Sequence, residues 1–204
     1  MEIVCLDLEG VIIPEIWINV AEKTGIEELR DTTRDIPDYN ELMQQRLHIM
    51  EKNNLGLPLI QEVISSLEPI DGAITFLDKL RENFQVVILS DTFYEFAKPL
   101  MQKLGWPTLF CHRLEVNPEG RIINYHLRMA DHKRQAVKAF HLLNYTVYAA
   151  GDSYNDTSML GEADQGFLFM APDNVIKEFP QFPAISTYNK LQSEFESISP
   201  RFKN

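Results

Sequence analysis

The sequence predicts an α/β fold: a Rossmann-like parallel sheet core with an inserted helical cap and a small β-hairpin flap. Three observations carry this. Short β-rich apolar runs recur at residues 3–8, 85–89, 147–150 and 167–170. Each is separated from the next by more residues than a hairpin needs, with helical patterns between, as parallel strands joined by crossover helices require. The first gap, about 75 residues, is far longer than one crossover and holds several amphipathic helical patterns but no convincing strand.

Taken in order, the first run gives a strand that ends in Asp7-Leu8-Glu9-Gly10. The long gap is then expected to be a helical domain spanning residues 14–69, inserted into a core made of residues 1–13 and 70–204. Pro14 and Pro69 stand at its edges, where proline suits a helix start or a linker. The second strand ends in Ser90-Asp91-Thr92, and Thr92 with Glu95 fits a capping box for the helix that follows. Two alternating segments within residues 111–128 flank Asn117-Pro118-Glu119-Gly120, which predicts a hairpin. A helix over 133–143 leads to the third strand, which ends in Gly151-Asp152-Ser153-Tyr154-Asn155-Asp156, and the fourth follows. The tail, residues 197–204, is expected to fray.

Composition narrows the class. The 204 residues, 45% hydrophobic and 24% charged, suit one substantial core with a small appended domain. No apolar stretch approaches the roughly 20 residues of a membrane span, and the start lacks the features of a signal peptide, so a cytoplasmic protein is expected. Cys5 and Cys111 have no metal-like spacing and are expected to be reduced and buried. A net charge of −11 argues against a nucleic-acid surface and would repel an anionic substrate. An anionic ligand therefore needs a local cation. Nothing in the sequence defines an oligomeric state.

In an open parallel sheet, ligands bind beyond the carboxyl ends of the strands. Three acidic or hydroxylic clusters follow strands here, and neighbouring strands would bring them to one rim. Each alone reads as turn chemistry; coincidence of all three is a poor explanation. Clustered carboxylates repel unless a cation sits among them. Magnesium suits an all-oxygen set, and no histidine or cysteine stands in position for zinc at this rim.

These motifs resemble those of the haloacid dehalogenase superfamily of phosphohydrolases. Residues 7–11, DLEGV, are similar to its first motif, Ser90 in LSDT to the second, Lys133 to the third and GDSYND to the fourth. The likeness covers nearly the whole chain. It is greatest to the phosphoserine phosphatase branch, and within it to members that also transfer the phosphoryl group to homoserine, whose first motif likewise has glutamate at the position of Glu9. Most of the superfamily has aspartate there, and the added methylene moves the carboxyl group by about 1.5 Å.

The resemblance implies a magnesium-dependent enzyme with Asp7 as the nucleophile and Glu9 as the general acid and base. It implies Mg2+ held by Asp7, Asp152 and the Glu9 carbonyl, with Asp156 binding it directly or through a neighbour. Ser90 would donate to a phosphoryl oxygen, although it could instead cap the following helix. Lys133 would offset phosphate charge, with Arg134 as competitor. At a helix start the macrodipole disfavours a cation, so something negative should hold Lys133 there. Asn155 could contact phosphate or substrate, or simply form a turn.

Two inserted residues point to the substrate. Over residues 41–50 a helical projection places Leu42, Met43, Leu47, Ile49 and Met50 on one side with Arg46 among them. An arginine there needs an anion: a nearby acid, or, as the resemblance implies, the substrate carboxylate. Glu15 would bind the substrate ammonium, although an acid in a first helical turn is favourable in itself. The expected partners are then phosphoserine and possibly homoserine. Competing readings are a capped phosphatase for another small phosphometabolite and, less well supported by the long insert and GDSYND, a non-catalytic phospho-accepting module.

Overall fold

The computed structural model describes residues 1–32, 35–36 and 38–203. Among them, seven strands form one sheet: β1 (Glu2–Leu6), β2 (Gln85–Phe93), β3 (Thr108–Val116), β4 (Ile122–His126), β5 (Thr146–Gly151), β6 (Gln165–Phe169) and β7 (Ala184–Ile185). Their spatial order is β4-β3-β2-β1-β5-β6-β7, and all neighbours are parallel except β3 and β4. The helices are α1 (Ile16–Thr24), α2 (Tyr39–Lys52), α3 (Leu57–Ser65), α4 (Ala73–Asn83), α5 (Tyr94–Met101), α6 (His132–Leu142), α7 (Thr157–Glu162), α8 (Asp173–Glu178) and α9 (Tyr188–Ile198).

The central strands are apolar in their middles because both sheet faces are covered. Along β1, Val4 and Leu6 join a core with side chains of α4, α5 and α9, whereas Ile3 and Cys5 pack with α6, α7 and α8 on the other face. The strands β2, β1 and β5, whose ends carry the three polar clusters, are direct neighbours. Cys5 and Cys111 are buried free thiols. No helix among the described residues is long and apolar enough to cross a membrane.

Between β1 and α4 the described chain is helical, with α1, α2, α3 and a 3-10 turn at Glu27–Arg30. Its two ends are tied together, since the Ile70 amide donates to the Ile12 carbonyl at 2.9 Å. Its apolar side chains, Trp17 and Met43 among them, share one core with Phe93 and Phe96, and the Trp17 ring meets Phe96 edge-on at 5.4 Å. The insert also leans on the hairpin: the Leu57 amide donates to Gly120 O at 2.8 Å, and Tyr125 donates to Asn40 Oδ1 at 2.8 Å.

At four points the structure corrects or adds to the expected elements. The first arm of the hairpin is also a core strand, because β3 runs parallel to β2 from Thr108 before β4 returns antiparallel to it. Strand β7 carries only two residues, too few for a periodic signal. Thr92 does not cap α5: β2 runs on through Ser90, Asp91 and Thr92 to Phe93, which is the N-cap. Glu95 accepts instead from the Leu114 amide at 2.9 Å, tying α5 to β3. The tail is anchored at Ser199, which is fully buried and donates to Glu2 Oε2 at 3.1 Å before an exposed 3-10 turn at Pro200–Phe202; Asn204 lies outside the described residues.

Candidate active site

At the carboxyl edge of β1, β2 and β5 lies a cavity of about 700 Å³ that Asp7, Glu9, Ser90, Lys133, Asp152 and Arg46 help to line. Asp7 continues the β1 ladder, its amide donating to Ala150 O at 3.0 Å, which fixes its carboxylate at the rim. Glu15 and Asn155 line the same cavity, and Asp156 lies beneath it, fully buried.

Lys133 supplies the local cation that the net charge demands. Its buried ammonium donates to Asp156 Oδ1 at 2.7 Å and to Asp7 Oδ1 at 2.8 Å, and Asp91 Oδ2 lies 3.4 Å away. Burial alone would favour neutral lysine, but Asp156, Asp7 and Asp91 overcome it and hold the ammonium well above its ordinary range. These acids are what keep a cation at the start of α6. Asp131 precedes it in a left-handed conformation, φ 50°, a strained setting for a non-glycine residue. Arg134, one position on, turns outward and pairs with Glu162 at 2.7 Å.

Two glycines let the carboxylates crowd together. A Cβ on Gly10, at φ +79°, would stand 2.5 Å from Asp152 Oδ2, and one on Gly151 would stand 2.4 Å from Asp156 Cγ. Asp156 Oδ2 also accepts from the amides of Asp152 and Ser153 at 3.0 and 3.1 Å, so both its oxygens brace neighbouring groups. Burial, and then repulsion from Asp156, push the Asp7 carboxyl above its ordinary range, against the pull of Lys133.

Glu9 faces the same space from the turn after β1. Its Oε2 accepts the Ile16 amide at 2.9 Å and so caps α1 from outside the helix. Desolvation and then the neighbouring Glu15 nevertheless push its pKa up to about 7, against this bond. Glu15 is the N-cap residue of α1, although its side chain makes no capping hydrogen bond. Ser90 does not cap α5 either; its Oγ accepts the Thr92 amide at 3.2 Å, which leaves the O–H to donate into the cavity.

Arg46 is buried on α2, with its guanidinium 4.5 Å above the Trp17 ring and Nη2 donating to the Asp31 carbonyl at 2.9 Å. Its Nε is buried with no hydrogen-bond partner. Burial lowers the guanidinium pKa to about 10, still cationic at neutral pH. Thr92 Oγ1, likewise buried at the cavity wall, has no hydrogen bond of good geometry. Sequence reasoning assigned this hydroxyl to a helix cap; only the run-on of β2 reveals that it faces the cavity.

Two histidines stand close to this rim. Oxygen or nitrogen atoms of Asp91, His112 and His132 lie within 4.8 Å of one another there, a meeting the sequence spacing did not announce. His112 comes from β3, whose pairing with β2 the sequence did not show.

The arrangement suits a hard cation. Oxygens of Asp7, Asp152 and Asp156 also lie within 4.8 Å of one another, all three side chains are buried, and Lys133 pairs with Asp7 and Asp156. An all-oxygen donor set of clustered carboxylates fits magnesium.

A parallel α/β core whose rim carries a buried carboxylate bonded to lysine suits a protein that handles phosphoryl groups. Residues 1–164 match the family model of haloacid dehalogenase-like hydrolases, and the chain belongs to that family. It is similar to a phosphoserine phosphatase of Pseudomonas syringae pv. tomato, 64% identical over 201 residues that make up 98% of this chain and 85% of that protein. It is 63% identical over 201 residues, 98% of each chain, to phosphoserine phosphatase ThrH of Pseudomonas aeruginosa. A solved substrate-bound phosphoserine phosphatase complex shares its fold, with a TM-score of 0.77 at 18% identity over 97% of this chain and 98% of that one.

Proposed function

We propose that this hydrolase is a magnesium-dependent phosphoserine phosphatase of the cytoplasm that works through an aspartyl-phosphate on Asp7 and can also pass the phosphoryl group to homoserine. One observation carries the reading. The cavity joins a nucleophile bonded to a buried lysine with a cationic arginine whose Nε lacks a partner. The first suits a phosphate ester and the second a carboxylate. The names of the two Pseudomonas relatives agree. An uncharged phosphosugar would leave Arg46 unused.

In this mechanism an Asp7 oxygen bonds to phosphorus as the serine oxygen leaves, and Glu9 gives its proton to that oxygen. Lys133 and the Ser90 hydroxyl neutralise and orient the phosphoryl oxygens. Glu9, now a carboxylate, takes a proton from water, whose oxygen bonds to phosphorus as the Asp7 bond breaks. Magnesium, held by Asp7, Asp152 and the Glu9 carbonyl and steadied through Asp156, would supply charge neutralisation at the phosphate. Residues 14–69 act as a cap over a core of 1–13 and 70–204, with Arg46 and Glu15 gripping the amino-acid end and Asn155 at the phosphate side.

With a pKa near 7, Glu9 is an acid below neutrality and a base above it, and the two steps need both forms. The pH–rate profile should therefore be bell-shaped with a limb near 7, and Glu9→Gln should abolish that limb. An unchanged profile in the variant would remove Glu9 from proton transfer.

Homoserine carries the ammonium and carboxylate of serine with one extra methylene. A positioned alcohol can outcompete water through effective concentration alone. Supplied with labelled phosphoserine and magnesium, the protein should release labelled phosphate, chelator should stop it, and millimolar homoserine should divert label to phosphohomoserine. Label only in inorganic phosphate at every homoserine concentration would leave a plain phosphatase, and no release from phosphoserine alongside turnover of another ester would move the substrate assignment.

A further inference from the structure

Asp91 follows Ser90, and both of its carboxylate oxygens face donors at the rim. Its Oδ1 faces two imidazoles, with His132 Nε2 at 3.0 Å and His112 Nε2 at 3.4 Å. Its Oδ2 faces the cavity pair, accepting from Asn155 Nδ2 at 2.6 Å with Lys133 Nζ at 3.4 Å. Two strands, a 3-10 turn and a helix start thus meet at one side chain: β2 holds Asp91, β3 holds His112, the 3-10 turn Tyr154–Asp156 after β5 holds Asn155, and α6 begins with His132 and Lys133.

The imidazole protons follow from the bonding. His112 Nδ1 accepts the Arg128 amide at 3.1 Å, so the proton of neutral His112 sits on Nε2 and points at Asp91. A metal at this trio would need the Nε2 lone pair and would set an Nδ1 proton against that amide, so the trio is a hydrogen-bond array and not a metal site. His132 is buried, and burial lowers its pKa, favouring a neutral ring that donates through Nε2. Burial alone would raise the Asp91 pKa, but Lys133 and the two imidazoles hold it well below its ordinary range. It is a permanent anion.

We propose that Asp91 is a positioning residue of the phosphate site: the imidazole pair fixes one of its oxygens, and the other sets where the Asn155 amide and the Lys133 ammonium stand. This rests on the phosphatase reading above, and it assigns Asn155 a held orientation and not merely a turn. Without the Asp91 charge, the Asn155 amide is held only by the bond its Oδ1 accepts from Ser153 Oγ, and the Lys133 ammonium is drawn only toward Asp7 and Asp156.

The test is a double-mutant cycle of Asp91→Asn and Asn155→Ala, read by kcat/KM for phosphoserine and by calorimetric binding of inorganic phosphate. Asparagine keeps the shape but cannot accept from all four donors. Each single change should cost about ten- to a hundredfold, and the double should cost no more than the worse single, because one residue acts through the other. Multiplied losses, or a lowered Tm with unchanged kinetics and phosphate affinity, would overturn the proposal. Imidazole nitrogen NMR of the wild-type protein supplies a reading free of variants. Nε2 protons on both histidines are expected, and an Nδ1 proton on neutral His132 overturns the array. If wild type binds phosphate but does not turn over phosphoserine, the substrate reading fails while the phosphate arm still decides the role of Asp91.

Discussion

Asp7→Asn should give a folded protein whose turnover of phosphoserine falls by several orders of magnitude. The amide keeps the shape at the end of β1 but loses the nucleophilic charge, so the first bond to phosphorus cannot form. Stability should move the other way or not at all. In the native site the Asp7 carboxylate is buried beside Asp156, and both effects disfavour its charge. Lys133 would keep its bond to Asp156. A functional carboxylate held at a cost to stability is a common trade, and its removal relieves repulsion. Thermal unfolding and single-turnover kinetics on the same preparation check both halves. Near-wild-type turnover would end the covalent mechanism, and a large loss of Tm would mean that Asp7 chiefly holds the fold together.

The parts of this architecture that could be read in advance were those in which one short segment carries both a structural and a chemical signal. An apolar strand that ends in acid does so three times, and adjacency of β2, β1 and β5 brings Asp7, Ser90 and Asp152 together. Lys133 was legible for a related reason: a cation at a helix start demands an acid, and Asp156 and Asp7 supply it. What stayed hidden depends on partners remote in sequence. Thr92 and Glu95 make a plausible capping box, yet pairing of β2 with β3 extends the strand past Thr92, and Glu95 serves the Leu114 amide instead. The tertiary hydrogen bond won over the local one. His112, His132 and Asp91 come from separate elements, and no spacing in the chain announces their meeting.

Arg46→Ala should cost roughly 2 to 5 kcal/mol in kcat/KM for phosphoserine, because it would leave a desolvated substrate carboxylate without its partner. The structure sharpens the reasoning. The guanidinium stands over Trp17 and its Nη2 is committed to the Asp31 carbonyl, so its plane is fixed before any ligand arrives. An arginine ordered in advance loses little rotamer freedom on binding, which raises the share of the interaction that appears as affinity. Its buried Nε is a donor still waiting for an acceptor. Arg46→Lys should recover only part of the loss, since an ammonium keeps the charge but neither stacks on the indole nor offers a planar fork. Phosphoethanolamine, which has the ammonium and the phosphate but no carboxylate, provides the control. Its kcat/KM should hardly change in either variant. Equal losses for the two substrates would show that Arg46 supports the insert through Trp17 and does not read the carboxylate.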